Sequence, residues 1–549
     1  MNKYLILFLF IFSKLSAAPS GTEVALAKHE VVVAGHPEAA EAGLQILHEG
    51  GNAIDAAVAV SLSLGVAEPY ASGLGGKIEI LYYEASSKKV YVVDGMDMSS
   101  RTLPVTAFIN QPTRERIEGG PSAAVPGLAK GLYQAHKKWG ALPWNKDVQP
   151  SILLAQNGSL ILPKSQQLIE ESAQRIKHSK EGARIFLPDG KLPAIGSRLV
   201  NADLAMTLRR LGNEGPDAIY KGKIAESIVS AVSSAGGYMT LQDLASYESR
   251  IVEPVSVPYR GGKLFSTAPV SGGGQLLAVM SVLDNSNWRG STFHDALSID
   301  RFGKVFLTTT QKFDSITGDD EAVDSRFKAA LSEKGVESIR TLSKISNFSE
   351  NSTSSYGKES TTHFIVVDNK HNIACVTQSL SYHFGCGLVP AGTGIVLNNS
   401  LSNFTIKTPS NPNYAAQGKR PKSTIAPTIW LNDKNIPILA IGLPGGARIP
   451  SGIAQVLLDY SQFNRPLAEA IADTRIHVTN INKEPTIESE LGLAESNVNI
   501  LKSRGWKVIM PEKSVTGVLF GGVNAVEFLP DGTLNAVADL RRTNSAKGD

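Results

Sequence analysis

The stretch Ile54–Leu64 (IDAAVAVSLSL) is apolar on nearly every side of a helix, and this constrains the fold more than any other part of the chain. A helix without a polar face cannot lie on a surface, so other elements must enclose it within a large core. Its start is signalled by Asn52, suited to cap a helix, and by Asp55 in the first turn. Just upstream, Pro37 to Glu49 reads as a second helix, with proline in its first turn, Leu44 and Leu47 on one face and Gly50-Gly51 as the stop. At 549 residues, 42% of them hydrophobic and 19% charged, the chain is long enough and apolar enough to build such a core.

Ile78 to Tyr83 and Val90 to Val93 read as strands joined by a polar hairpin, Glu84 to Lys89. Gly127 to Trp139 reads as a helix, and helical periodicity runs through residues 200 to 235. Residues 343 to 360 (SKISNFSENSTSSYGKES) hold almost nothing to bury and read as a flexible, exposed segment. It gives way abruptly to a strand pair, His363 to Val367 and Ile373 to Thr377, around the turn Asp368 to Asn372. Further strands are expected at Thr428 to Leu431 and Ile436 to Ile441, a helix at Ile453 to Tyr460, and strand-like segments near Val515 to Phe520 and Val523 to Phe528. Helices early and strands late argue for α+β layers around a mixed or antiparallel sheet, built as one unit and not as two independent modules.

The amino terminus reads as an export signal: Lys3, the apolar run Tyr4 to Phe12 (YLILFLFIF), then small residues around Ala17 and Ala18. The run falls short of the roughly 20 apolar residues a membrane span needs. Cleavage is placed after Ala17, since a cut after Ala18 leaves Pro19 at the new terminus, and an uncleaved anchor is the alternative. The mature protein is then expected without a membrane span and outside the cytoplasm, periplasmic or extracellular. A net charge of +3 does not suggest a polyanion binder, which usually carries a dense basic face, and the cluster Lys419-Arg420-Pro421-Lys422 reads as a solvated loop. Two cysteines, Cys375 and Cys386, cannot form a disulfide scaffold or a four-thiolate zinc site; they either pair or serve as small buried hydrophobes. Without a His-Glu-x-x-His, Walker or Gly-x-Ser-x-Gly pattern, metalloprotease, P-loop and α/β-hydrolase readings lose their simplest support.

The junction Glu359-Ser360-Thr361-Thr362-His363 has two readings. Thr361 is the first residue of an ordinary strand, or the chain is cut before it, which frees an α-amine beside a hydroxyl. An amino-terminal threonine carries its own general base, so its hydroxyl can attack a carbonyl with no histidine, metal or cofactor.

In these residues the chain resembles the γ-glutamyltransferase (γ-glutamyltranspeptidase) family of N-terminal nucleophile hydrolases. The resemblance is carried by His36-Pro37, Gly50 to Ala57, Glu68-Pro69, Ser72 to Gly76, Val125-Pro126-Gly127, Gly236-Gly237, Tyr259-Arg260-Gly261, Thr361-Thr362-His363, Gly392 to Asn399, Arg420 to Ser423 and Pro444-Gly445-Gly446. It implies a four-layer αββα sandwich and self-cleavage between Ser360 and Thr361, giving a large subunit of residues 18 to 360 and a small one of 361 to 549. By motif position, it makes Thr361 the nucleophile, Ser379 the hydroxyl that positions it, and Gly445 and Gly446 the oxyanion-hole amides, where a missing Cβ lets the backbone approach closely. Ser423 and Thr424 match hydroxyls that contact the donor's α-carboxylate; the plainer alternative is loop hydroxyls bonding their own backbone.

The expected donor pocket departs from the family pattern. Asp94-Gly95-Met96-Asp97 stands where the family reads Asp-Gly-Arg-Glu, so Met96 replaces the guanidinium that forks onto a carboxylate. Asn403 replaces the aspartate that pairs with the α-amine, and Ser381 and Ser400 replace a nearby Asn and Gln. Lys77 interrupts the glycine run, either supplying a replacement charge or pointing into solvent, and the loop from Phe404 to Gly418 is shorter than in many relatives. The resemblance implies a γ-glutamyl amide such as glutathione as donor, with water, an amino acid or a peptide as acceptor. The alternatives are an amidase for a glutaryl-like or poly-γ-glutamate acyl group, and a non-catalytic exported binding protein.

Overall fold

Asn52 caps its helix reciprocally: its side chain accepts from the amides of Ile54 and Asp55, while the Asp55 carboxylate accepts from the Asn52 amide at 2.8 Å. The helix runs Ala53–Ala67, and every residue in it except Gly65 is buried, as an all-round apolar surface requires. The preceding helix is Pro37–His48, stopped where Gly50 takes a φ of +90°. The computed structural model describes residues 21–284, 288, 292–345, 359–481, 483–510 and 520–549.

Two seven-stranded sheets, antiparallel throughout, form the centre. One orders its strands Thr22–Ala27, Leu534–Asp539, Asn524–Phe528, Pro437–Gly442, Thr428–Leu431, Gly262–Ser266 and Val255–Tyr259. The other runs Ser545–Gly548, Val31–Ala34, Glu359–Val367, Ile373–Tyr382, Lys77–Glu84, Lys89–Gly95 and Arg250–Val252.

The period-two alternation of strand side chains sorts the apolar residues into layers. Val33, Leu81, Ile365 and Cys375 from the second sheet meet Ile429, Leu431, Ala440 and Val526 from the first in a core between the sheets. Their neighbours point the other way: Val32, Ile80, Phe364 and Val376 pack on the helices around Ala53–Ala67, and Trp430, Leu439, Ile441 and Ala525 pack on helices including Gly273–Asp284 and Arg448–Ser461. The result is the expected αββα sandwich.

Several expectations need correction. Strands are not concentrated late, because each sheet takes members from both sides of residue 360 and the two halves interleave. Thr22–Ala27 and Val31–Ala34 escape a pattern search because strands this short show little periodicity. Of the two readings of the cysteines the buried-hydrophobe one holds: both are free, Cys375 between the sheets and Cys386 against the helical layer. The Lys419–Lys422 cluster is not a solvated loop: Arg420 is buried, 3.6 Å from Asp94, and Lys422 bonds Asp314 at 2.6 Å. The supposed flexible segment is structured at its edges, since a helix extends to Ile345 and a strand begins at Glu359.

The export signal, residues 346–358 and most of Val515 to Phe520 lie outside the described residues. Among the described residues no helix is long and apolar enough to cross a membrane.

Candidate active site

Thr361 sits where the Glu359–Val367 strand departs from its partner. The pairing with Ile373–Tyr382 shifts register between Ser360 and Thr362, which takes Thr361 out of the regular ladder. Its hydroxyl lies 2.6 Å from the Ser360 carbonyl oxygen and 3.2 Å from Ser379 Oγ. The Ser379 hydroxyl donates to that same carbonyl and accepts from the Ser381 amide at 2.9 Å. The peptide carbonyl ahead of Thr361 is therefore held by two hydroxyls, one of which belongs to Thr361 itself.

The surrounding backbone is pinned. Arg542 donates to the Thr361 carbonyl at 3.0 Å, the Ser360 hydroxyl donates to the Tyr70 carbonyl, and Asn524 donates to the His363 carbonyl at 2.6 Å. Glu68, raised above the ordinary carboxylate range by burial, is held back by a bond from Thr362 and by the Arg542 charge. His363 bonds Thr377 Oγ1 at 2.9 Å, and burial pushes its imidazole down to about 3, so it is neutral. Among the described residues no imidazole bonds the Thr361 hydroxyl.

Beside this junction lies a charged cluster that the sequence only hinted at. Lys77 does not reach solvent: at 1% exposure, its ammonium bonds Ser381 Oγ at 2.7 Å and Ser400 Oγ at 2.8 Å, with Asp97 Oδ2 3.5 Å away. The Ser400 hydroxyl donates to Asp97, and Ser381 and Ser400 are 2.7 Å apart. Asn403 Nδ2 donates to Ser381 Oγ at 3.4 Å. Burial lowers the Lys77 ammonium and raises the Asp97 carboxyl, and each opposes the other's shift. Ser381 takes a φ of +75°, unusual outside glycine, at the end of the strand that also carries Ser379.

The remaining expected site residues lie on neighbouring segments. Gly445 and Gly446 join the Pro437–Gly442 strand to the Arg448–Ser461 helix with φ of +149° and +57°. Their carbonyls accept from Arg448 and Ile449 at 3.1 and 3.0 Å, while neither amide has an acceptor among the described residues. Ser423 receives the Ile425 amide at 3.4 Å, the local bond of a loop hydroxyl, and Thr424 packs on the Gly272 backbone so closely that a Cβ there would lie 2.4 Å from its carbonyl oxygen. Met96 is fully buried in the helix-side core with Val257 and Leu264, while its neighbour Asp94 is held by Arg250 and Arg420. Hydrogen bonds thus connect Thr361, Ser379, Ser381, Ser400 and Asn403 into one network, joined by Lys77, which the sequence left between a replacement charge and a solvent-facing side chain, and by Asp97, which it gave no role. A lysine inside a glycine run was the one signal for them; a buried ion pair leaves no periodic trace. Arg542 left no signal at all.

Away from this network, Asp55, His136 and Asp147 cluster among the helices. His136 Nε2 faces the Leu142 carbonyl at 2.9 Å, so that nitrogen carries a proton and has no lone pair for a metal.

The profile of the gamma-glutamyltranspeptidase family matches residues 39–549. A glutathione hydrolase proenzyme of Bacillus subtilis (strain 168) is 30% identical over 96% of this chain and 92% of its own length. The acylase ACY 1 proenzyme of Pseudomonas sp. (strain SE83) is also 30% identical, over 93% of this chain and 92% of its own. In three dimensions the chain is similar to the cephalosporin acylase of Bacillus halodurans, with a TM-score of 0.87 at 24% identity, covering 98% of this chain and 99% of that one. With a family match spanning almost the whole described length, the chain belongs to the gamma-glutamyltranspeptidase family and is an enzyme.

Proposed function

We propose that this enzyme is an exported, self-processing threonine amidase. Thr361 Oγ attacks the Ser360 carbonyl carbon, its proton passes to the departing amide nitrogen, and the resulting ester is hydrolysed by water. The products are a large subunit of residues 18 to 360 and a small one of 361 to 549. The freed α-amine then takes the Thr361 hydroxyl proton as the oxygen attacks an acyl amide. The unpartnered Gly445 and Gly446 amides are suited to receive the oxyanion, and Ser379 holds the nucleophile. The leaving amine departs with the proton, and water or an amino compound takes the acyl group. The observation that carries this reading is the Ser360 carbonyl held by both the Thr361 and Ser379 hydroxyls.

The family makes a γ-glutamyl amide, glutathione among them, the first donor to test, with Ser423 and Thr424 on its carboxylate side and Ser381, Ser400 and Asn403 on its amine side. A second reading, an amidase for a different acyl group, is favoured by the Lys77 ammonium buried between Ser381 and Ser400 and by the core position of Met96. Export rests on the apolar run Tyr4 to Phe12.

Mass spectrometry of the purified mature protein tests the nucleophile. Two fragments, the smaller starting at Thr361, are expected, and Thr361→Ala should remain one chain. An active mature preparation with an unbroken 360–361 bond would overturn the proposal.

A further inference from the structure

The two serine hydroxyls of the Lys77 cluster have no free hydrogen-bonding capacity toward a ligand cation. The ammonium has three N–H donors, and they face Ser381 Oγ, Ser400 Oγ and Asp97 Oδ2. Ser400 gives its own proton to Asp97, so the 2.7 Å contact between the serines must be donated by Ser381. Ser400 Oγ then accepts from Lys77 and Ser381, and Ser381 Oγ accepts from Lys77 and Asn403. Both hydroxyls have used their hydrogen and both lone pairs. Asp97 keeps one oxygen, Oδ1, that bonds nothing among the described residues, but it is fully enclosed and out of a ligand's reach, and the Lys77–Asp97 pair as a whole carries no net charge.

This closed cluster is fixed close to the nucleophile. Lys77 is the direct register partner of Ser379, and the Ser381 amide donates to the same Ser379 oxygen that meets the Thr361 hydroxyl. An acyl group bound at Thr361 must therefore lie near a wall that already holds a cation. A second ammonium placed there would find both serine oxygens occupied and the free Asp97 oxygen enclosed, and it would meet a like charge in a low-dielectric setting.

We propose that Lys77 is the resident cation of the acyl-binding wall, and that the enzyme selects acyl groups carrying no ammonium near the scissile amide. Glutaryl is the simplest probe of that class. Lys77 acts as a specificity-determining residue through Ser381, Ser400 and Asp97. The inference rests on Thr361 being the nucleophile of the mature enzyme.

The test compares kcat/KM for glutaryl p-nitroanilide and γ-glutamyl p-nitroanilide with the mature, cleaved protein. The glutaryl compound should be favoured at least tenfold. Lys77→Ala should shift this ratio at least tenfold toward the γ-glutamyl compound, because the vacated space exposes Asp97 and two hydroxyls to the substrate's ammonium; fragmentation at residue 361 reports that the variant has folded. Should Lys77→Ala fail to fold, inhibition of the wild type by glutarate and by L-glutamate decides, with glutarate expected to bind at least tenfold more tightly. A cleaved wild type that uses the γ-glutamyl compound equally well or better would overturn this inference and leave the threonine mechanism standing. A wild type that is neither cleaved nor active on either anilide would overturn both.

Discussion

Lys77 and Ser379 face each other on one rung of the antiparallel ladder between Lys77–Glu84 and Ile373–Tyr382. The hydroxyl that meets Thr361 and the buried ammonium beside it are thus spaced by backbone hydrogen bonds and not by a mobile loop. Both strands are interior members of their sheet, so neither can shift without breaking ladders on two sides.

Ser379 contributes a hydroxyl to the Ser360 carbonyl and holds the Thr361 oxygen. Ser379→Ala is expected to slow self-cleavage on the order of 100-fold, the typical effect of losing one preorganised donor at a developing oxyanion. Ser379→Thr, which keeps the hydroxyl, should retain most of the rate. The measurement is a time course of the fragment beginning at Thr361.

Gly446 adopts a φ of +57°, where a Cβ costs about 1–2 kcal/mol, and Gly445 adopts +149°, a region that side chains rarely enter. Alanine at either position should turn its amide away from the oxyanion. We expect kcat to fall about 100-fold with little change in KM. A change confined to KM would mean that the two amides do not contact the oxyanion.

Arg542 anchors the Thr361 carbonyl and supplies positive charge beside the buried Glu68. Arg542→Met should destabilise the protein by about 1–3 kcal/mol, because it leaves the buried Thr361 carbonyl without its charged donor and removes a positive charge near Glu68. Adding Glu68→Gln should recover part of that loss. Thermal melting of the single and double variants provides the check.

Asp459 has a carboxyl raised to about 7, chiefly by burial and then by the neighbouring Asp473. A group whose folded pKa is raised stabilises the fold below its unfolded pKa near 3.9, and that contribution is lost as pH rises through about 7. Asp459→Asn, which cannot ionise, should therefore melt higher than the wild type at pH 8 by about 2–4 °C. The advantage should shrink as pH falls from 7 toward 4. Melting curves across that range test the sign.

Much of the scaffold was legible because it is written in local periodicity. The capped, all-apolar helix after Asn52, the hairpin around Glu84 to Lys89 and the strand pair after Thr361 each repeat one physical pattern over consecutive residues. The junction at Thr361 was legible for a different reason: a run with nothing to bury stops against a strand. What escaped was whatever depends on partners far apart in sequence. Arg420 looked like part of a basic loop until Asp94 and Asp319 were brought to it, and Lys77 could be assigned to either pocket or solvent until Ser381 and Ser400 closed over it.

Local pattern alone located several of the helices and strands, required one large core around Ala53–Ala67, and marked the point where a run with nothing to bury gives way to the strand carrying Thr361. Tertiary packing settled that segments from both sides of residue 360 interleave in both sheets, that a register shift takes Thr361 out of its ladder, and that Lys77 pairs with Asp97. The physical reason is that periodicity and capping act between residues a few positions apart. Charge pairing and sheet order instead depend on which segments the collapse of apolar faces brings together, across separations such as the 304 residues between Lys77 and Ser381.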